Sequence, residues 1–275
     1  MSFAPLHTAI LTLFCIQTIV LSAAAKLADD VRDALKHAGE NRGELETALR
    51  KVPSLDTNYL LTHTSQYDLV NLTAEQIVEN VTYARKVRVS LPYPGNKLDD
   101  AMWRDWVLPH RVLDEDLSLC RKDFHERMQP IIAGKTKCAD VAEAIHDWLL
   151  VPREQEPQLR FVYGAGDGEV RQMTPAQLLK NRKGACDELC MIYVYLLRAV
   201  GIPARHCSLG YYTSRDDGHL YCEYWDSQLN EWTAVDASVE YAMNRNPPNK
   251  RVETGNGVPW PCMPTRCMGS VKAPG

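Results

Sequence analysis

The chain is predicted to adopt an α+β fold, in which a helical N-terminal half precedes a buried helix packed on an antiparallel sheet. Apolar residues recur at helical spacing in the first half, an apolar stretch follows at 189–200, and strand-like segments come after it. With 45% hydrophobic and 24% charged residues, the composition is that of a globular protein. The net charge of -4 gives no support for a nucleic-acid partner.

Four regions follow from these patterns. We predict a signal peptide at 1–25, a helical N-terminal region at 26–150, a chemistry-bearing core at 151–243 and a tail rich in Pro and Gly at 244–275.

The first of these regions has a nearly continuous apolar run at 9–21, which is shorter than the roughly 20 residues that span a membrane. Small residues follow at 22–25, where a signal peptidase could cut. This pattern predicts export to a secreted or periplasmic, extracytoplasmic location. An uncleaved N-terminal anchor is the alternative, because no Lys or Arg precedes the run. No later stretch is long and apolar enough to cross a membrane.

Helices in the N-terminal region are predicted from apolar spacing and from one capping pattern, Thr73-Ala74-Glu75-Gln76. The apolar positions are Leu27, Val31, Leu35, Leu45 and Leu49, and then Val141, Ile145, Trp148 and Leu149. Pro152 ends the last of these helices. The segment 91–109 holds prolines and two tryptophans and is predicted to be irregular.

In the core, Thr174-Pro175 opens a short helix, because Thr is a favoured cap and Pro a favoured first helical residue. The apolar stretch at 189–200 predicts a central helix that is buried on most sides and stops at Gly201. Strand-like segments follow at 204–212, 219–225 and 231–237.

Cys186 lies at the start of the central helix, where free N–H groups and the helix dipole favour an anion. A thiolate is the reactive form of cysteine, so this position suits a nucleophile. The alternative is that Cys186 is a small buried apolar side chain, as many free cysteines are.

His219 and Asp236 lie on two segments that would form a hairpin around Asp226–Leu229. If the hairpin is symmetric about that turn, His219 faces Asp236, with Cβ atoms about 5 Å apart. A base near a thiol, itself oriented by a carboxylate, is the arrangement of nucleophilic catalysis. The alternatives are a surface histidine after a loop and a polar residue that ends a strand.

The chain has nine cysteines, and Cys15 lies inside the predicted signal peptide, which leaves eight. Export would permit disulfides, and if Cys186 stays free, the odd number of seven remains. A zinc site is a further alternative. Its candidate ligands are Cys186, Cys190, His206, Cys207, His219 and Cys222. Because His219 and Cys222 are an odd number of residues apart on one strand, they point to opposite faces, which argues against zinc. We therefore predict no metal and no cofactor.

Four stretches of the chain closely resemble the core of the transglutaminase-like superfamily, over about 174–238. They are Arg182-Lys183-Gly184-Ala185-Cys186-Asp187-Glu188, Leu196 to Arg205, His219 to Trp225, and Trp232-Thr233-Ala234-Val235-Asp236. That family includes transglutaminases, peptide N-glycanases and microbial peptidase-like proteins on a papain-like scaffold. The resemblance implies a triad of Cys186 as nucleophile, His219 as base and Asp236 as the residue that orients it. Tyr221 stands where the family usually has tryptophan.

The triad implies a cysteine enzyme that attacks an amide of a protein, a peptide or another substrate and forms a thioester. Hydrolysis is favoured over transfer to an amine, because water is always available and no EF-hand calcium loop is present. The backbone N–H of Cys186 is the natural oxyanion donor, and the Gln177 side chain is a second candidate. A protein-glutamine transglutaminase and a catalytically silent binding module of the same fold are the alternatives.

Overall fold

The structure is a computed structural model that describes residues 26–89, 98–150, 160–161, 173–209 and 219–237. The predicted signal peptide and the predicted C-terminal tail lie outside the described residues, as does the side chain of His219. The chain divides into two compact units, Met1–Ala74 and Glu75–Gly275.

The described part of the first unit is helical. Its elements are α1 (26–37), a 3-10 turn (Gly39–Asn41), α2 (Arg42–Lys51), α3 (Leu55–Thr62) and α4 (Gln66–Leu69). The helical spacing predicted across 26–51 is therefore broken at Gly39, whose φ of 56° is left-handed. Glycine adopts that conformation at little cost, so the break falls there. Two serines cap the next helices, as Ser54 and Ser65 accept the backbone N–H groups of Thr57 and Asp68.

The second unit begins with more helices. They are α5 (Ala74–Val89), α6 (Asp100–Trp106), α7 (Arg121–Ile132), α8 (Cys138–Leu150), α9 (Pro175–Asn181) and α10 (Cys186–Ala199). The helices predicted after Thr73 and around Val141 are confirmed as α5 and α8. The prediction of irregular chain at 91–109 is wrong where α6 forms. Asp99 caps that helix by accepting the Met102 backbone N–H at 2.7 Å. Asp is a favoured helix cap, but the prediction of irregular chain followed the prolines of the segment instead.

An antiparallel sheet follows α10, with strand order β3 (Ala204–Leu209), β4 (His219–Asp226) and β5 (Glu231–Val235). A short parallel pair joins β1 (Arg160–Phe161) to β2 (Lys183–Gly184) just ahead of α10. Helices followed by an antiparallel sheet confirm the predicted α+β class.

Helix α10 is central, as its composition predicted. From Glu188 to Ala199 every residue is buried, and the helix packs on α7, α8, α9, β3 and β4. Its last turn is held by Arg198, which donates to the carbonyls of Ala204 (3.0 Å) and Arg111 (2.9 Å). Burial lowers the pKa of Arg198 to about 10. These bonds satisfy a charged group that would otherwise destabilise the core.

The hairpin register differs from the predicted one by two residues. Trp225 pairs with Trp232 and Cys222 with Val235, so continuing this register places Tyr221, not His219, opposite Asp236. The turn lies further along the chain than predicted. The Asp226 side chain accepts the backbone N–H groups of Gln228 and Leu229, at 2.9 and 3.3 Å. Asn230 closes the turn with a φ of 56°. A shift of two residues keeps each residue on its predicted face, since side chains alternate along a strand.

Aromatic side chains cluster around Arg205 on the sheet face that holds the odd-numbered residues of β4. Two members of this cluster, Arg205 and Trp232, belong to the sequence stretches that resemble the transglutaminase-like superfamily. Arg205 lies 3.9 Å from the ring centre of Trp232, and its Nη2 is 2.7 Å from the Glu223 carboxylate. Trp232 also makes edge contacts with Trp225 at 5.6 Å and Trp106 at 5.5 Å. The pattern residues Arg205 and Trp232 therefore stabilise the sheet through cation–π and ion-pair contacts.

Candidate active site

Cys186 is the first residue of α10, directly after Ala185, whose extended backbone (φ -84°, ψ -171°) starts the helix. Of the six cysteines among the described residues, none of which forms a disulfide, Cys186 is the one that is partly exposed. The position therefore combines access to solvent with the unpaired N–H groups of a helix N-terminus. Both are properties that a cysteine nucleophile needs.

Glu188, the third residue of α10, stabilises the start of this helix. Its carboxylate accepts the backbone N–H of Ala185 at 2.8 Å. Burial raises the pKa of Glu188 to about 7, and the hydrogen bond and charge of Asp187 add to the rise. A charged Glu188 carboxylate would oppose a thiolate at Cys186. Near neutral pH the carboxyl is partly protonated, so this opposition is smaller than that of a fully charged carboxylate.

The packing around Glu188 also requires glycine at position 184. A Cβ placed on it would lie 2.8 Å from the Cβ of Glu188 and 3.1 Å from Cδ1 of Leu178. The first contact joins two atoms close to the backbone, so neither can swing away. The chain therefore needs glycine two residues before Cys186 because α9 and α10 both pack against that position.

We expect Gly184→Ala to destabilise the protein by about 1–3 kcal/mol, because the added methyl overpacks the junction of α9 and α10. Gly43→Ala is a matched control, since a Cβ there meets nothing within 4 Å and the residue lies in the exposed part of α2. That variant should gain about 0.5–1 kcal/mol, as alanine favours helix over glycine. Urea unfolding followed by circular dichroism measures both changes. A Gly184→Ala midpoint at or above the wild-type value would contradict the close contact.

Asp236 follows the last residue of β5 and is buried, with 7% of its surface exposed. The buried thiol of Cys190 lies one turn after Cys186 on α10, and besides burial, the charges of Asp236 and Cys186 both act to raise its pKa. Cys190 is therefore close to both predicted site residues. Burial raises its pKa well above the ordinary value, so Cys190 itself is not suited to act as a nucleophile.

His219 is the first residue of β4 and pairs with Leu209 of β3. The Cys190 thiol donates to the carbonyl of Leu220 at 3.2 Å, which brings the first turns of α10 beside the start of β4. The backbone of His219 is therefore close to the helix end that carries Cys186. Its role as the base remains a prediction.

Gln177 sits at the third position of α9, in the capping box that the sequence predicted. Its side-chain carbonyl accepts the Thr174 N–H at 2.8 Å, and the residue is exposed. The role of Gln177 as an oxyanion donor remains a prediction, with its side-chain carbonyl already engaged in the helix cap.

The zinc alternative gains no support from the described part of the chain, where no three His, Cys, Asp or Glu side chains are grouped as metal ligands. His206 is buried beside Arg198, and burial first, then that charge, lowers its pKa to about 4. Cys222 donates to the backbone carbonyl of Cys190 at 3.4 Å. These residues have structural partners within the core.

Two contacts near the site had no signal in the sequence. The Arg182 guanidinium lies 5.8 Å from the ring centre of Trp148, which joins the end of α9 to α8. His146 of α8 is close to Asp236, because burial lowers the pKa of His146 and the backbone and charge of Asp236 act in the opposite direction. The residues involved are far apart in sequence, so no local motif could have predicted either contact.

The part of the chain that carries the candidate site resembles known proteins. Residues 126–237 match the model of the transglutaminase-like superfamily. The chain is 37% identical over 67 residues to the peptide-N(4)-(N-acetyl-beta-glucosaminyl)asparagine amidase of Saccharomyces cerevisiae, covering 24% of this chain and 17% of that one. It is 24% identical over 155 residues to the amidase of the same name from Kluyveromyces lactis, covering 51% and 39%. The chain thus spans less than half the length of either amidase.

Among solved structures, the periplasmic domain of TgpA from Pseudomonas aeruginosa, bound to ethylmercury, matches with a TM-score of 0.40 and 18% identity. That match covers 55% of this chain and 53% of the TgpA chain. Within the described residues, every helix is too short or too polar to span a membrane.

The similarity to amidases supports a cysteine amidase or peptidase family. The match of residues 126–237 to the model of the transglutaminase-like superfamily confirms the resemblance drawn from four stretches of sequence.

Proposed function

We propose that this protein is a cysteine enzyme that hydrolyses amide bonds in peptides or proteins, with Cys186, His219 and Asp236 as its triad. The observation that carries the proposal is the placement of a partly exposed Cys186 at the N-terminus of a buried helix. That helix end lies beside the start of β4, and Cys190 links it to the buried Asp236. The same proposal locates the enzyme outside the cytoplasm, on the strength of the apolar run and small residues within 1–25.

The reaction would proceed in two steps. His219 takes the proton of the Cys186 thiol, and the thiolate attacks the amide carbonyl carbon. The C–N bond then breaks, His219 returns the proton to the leaving amine, and the acyl group remains on sulfur as a thioester. In the second step His219 removes a proton from water, and hydroxide adds to the thioester carbon. The C–S bond then breaks, the carboxylic acid leaves, and His219 returns the proton to the Cys186 sulfur.

Two local features would lower the barrier. The backbone N–H of Cys186 points out of the helix N-terminus and would donate to the oxyanion that forms on the attacked carbonyl. Asp236, with 7% of its surface exposed, would keep the His219 ring oriented and stabilise its positive charge. A buried carboxylate does this better than an exposed one, because the charge is screened less by water.

Hydrolysis is preferred to amine transfer, because relatives named as amidases support it and water needs no acceptor site. An amine in place of water in the second step would make the same site a transglutaminase. A catalytically silent binding module is the remaining candidate. The number of cysteines in the core favours it, because a disulfide to Cys186 would remove the nucleophile.

The test is the rate of Cys186 alkylation by iodoacetamide against pH, read by mass spectrometry on the native protein. We expect Cys186 to react at pH 6, where a free thiol is almost fully protonated, and we expect His219→Ala to abolish this low-pH reactivity. The other described cysteines are buried, so they serve as internal controls in the same spectra. A Cys186 that is inert at every pH, or held in a disulfide, would favour the binding module.

A further inference from the structure

Two hydrogen bonds hold Ala185, the residue directly before Cys186, from opposite sides. Its backbone N–H donates to Oε2 of Glu188 at 2.8 Å, and its carbonyl accepts the backbone N–H of Leu189 at 3.0 Å. The bond from Leu189 is the first helical bond of α10, whereas the bond to Glu188 involves a side chain. Ala185 therefore has both of its backbone polar groups engaged at the start of the helix.

The direction of the Cys186 N–H follows from this arrangement. The Ala185 carbonyl and the Cys186 N–H share one peptide plane and point in opposite directions in a trans peptide. Because the carbonyl points along α10 toward Leu189, the Cys186 N–H points out of the helix N-terminus. This is the N–H group that the proposed mechanism assigns to the oxyanion.

Glu188 fixes this peptide plane from its other side. Ala185 has no polar side-chain atom, so it cannot cap α10 as Thr174 caps α9, where the Thr174 hydroxyl accepts the Gln177 N–H at 3.2 Å. Glu188 itself is buried, with 6% of its surface exposed, and its Cβ packs at Gly184, where an added Cβ would lie 2.8 Å away. This packing leaves the Glu188 side chain little freedom, so its bond to Ala185 is held in place.

We propose that Glu188 is a positioning residue, which sets the direction of the Cys186 N–H by accepting the N–H of Ala185. This inference rests on the proposed function, since it assigns the Cys186 N–H to the oxyanion. Glu188 does not touch the reacting atoms and acts on the donor through Ala185. Such a role matters because a displacement of about 1 Å in a catalytic group can slow a reaction about a hundredfold.

The test compares two reactions of the Cys186 sulfur, both at pH 6. In acylation by p-nitrophenyl acetate, the thiolate adds to the carbonyl carbon and an oxyanion forms. The C–O bond then breaks, nitrophenolate leaves, and the acetyl group stays on sulfur. In alkylation by iodoacetamide, the thiolate displaces iodide and no oxyanion forms. The ratio of the two rates cancels the thiolate fraction and so reports the oxyanion donor, with Cys186→Ala as the background from other nucleophiles.

Glu188→Ala should lower this ratio about tenfold, which is part of the loss of about a hundredfold or more that follows removal of a whole oxyanion donor. Glu44→Ala is the matched control. Glu44 also accepts the backbone N–H of an alanine at a helix start, that of Ala74 at 2.6 Å, but it belongs to the first compact unit, whereas Cys186 belongs to the second. Both variants should lower the melting temperature, and Glu44→Ala should leave the ratio unchanged.

Two further variants separate the hydrogen bond from the charge. Glu188→Gln keeps an acceptor oxygen of the same reach and should retain about half or more of the wild-type ratio. Its neutral amide resembles the carboxyl at pH 6, because burial raises the pKa of Glu188 to about 7. Glu188→Asp has a carboxyl on a shorter side chain, so it should lower the ratio as the alanine variant does. It also covers the case in which Glu188→Ala does not fold, since aspartate is favoured in the first turn of a helix.

The outcomes are distinct. A wild-type ratio in Glu188→Ala or Glu188→Asp, or a loss in Glu188→Gln or Glu44→Ala equal to that in Glu188→Ala, would overturn the positioning role alone. A wild-type Cys186 that reacts with neither reagent would overturn the proposed function, and the positioning role with it.

Discussion

Cys186→Ala is expected to lower turnover of an amide substrate at least about a thousandfold, because no other group in the site would form the thioester. The fold should survive, since Cys186 is only partly buried and alanine is accepted at the first position of a helix. Turnover is measured on denatured glycoproteins and unmodified peptides, with mass spectrometry of the products in the presence and absence of a small primary amine. Products with a new carboxylate would support hydrolysis, and amine adducts would indicate transfer.

Cys138→Ala is the matched control for this substitution. Cys138 is fully buried at the start of α8, and its thiol contacts the Ser227 hydroxyl at 3.3 Å, at the turn end of the hairpin. Removing that thiol should cost stability and leave turnover unchanged, because the turn is at the opposite end of β4 from His219. Full activity of Cys186→Ala would end the nucleophile hypothesis.

Asp236→Asn is expected to reduce kcat by about ten-thousandfold with little change in KM, which is the scale seen when the carboxylate that orients a catalytic histidine is neutralised. The amide has nearly the shape of the carboxylate, so packing around this buried residue is kept. The variant would lose the negative charge that, in the proposed triad, stabilises the protonated base and selects its tautomer. Steady-state kinetics, with circular dichroism to confirm the fold, measure the effect.

Asp226→Asn is the control for that variant. Asp226 is also buried, with 3% of its surface exposed, and lies on the same hairpin. Its side chain caps the turn by accepting two backbone N–H groups, a task that asparagine performs equally well. We expect wild-type kcat. If Asp236→Asn matches this control, Asp236 is only the polar end of a strand.

Part of the site was predictable from the sequence because its signals are local. Cys186 at the start of an apolar helix, Gly201 at its end and the Thr174 cap each depend on residues within one or two turns. The placement of His219 at the first residue of a strand is equally local. These predictions rely on periodicity and capping, which neighbouring residues decide.

The hairpin register shows where local reasoning failed. A symmetric turn around residues 226–229 was the simplest guess, but the Asp226 side chain and the left-handed Asn230 moved the turn by one residue and the pairing by two. The observed register, when continued, places Tyr221 opposite Asp236, so the predicted direct pairing of His219 with Asp236 is wrong.

The sequence by itself determined the α+β class and the central helix. Both depend on patterns of neighbouring residues, whose conformational preferences act before the chain is packed. The three residues we expect to perform the chemistry come from the resemblance of four sequence stretches to a known family. Only the tertiary structure decided the contact of Gly184 with Glu188, the raised pKa of Glu188 and the lowered pKa of His146. These depend on which groups share a buried space, and burial and hydrogen bonding between distant residues have no counterpart in the order of the chain.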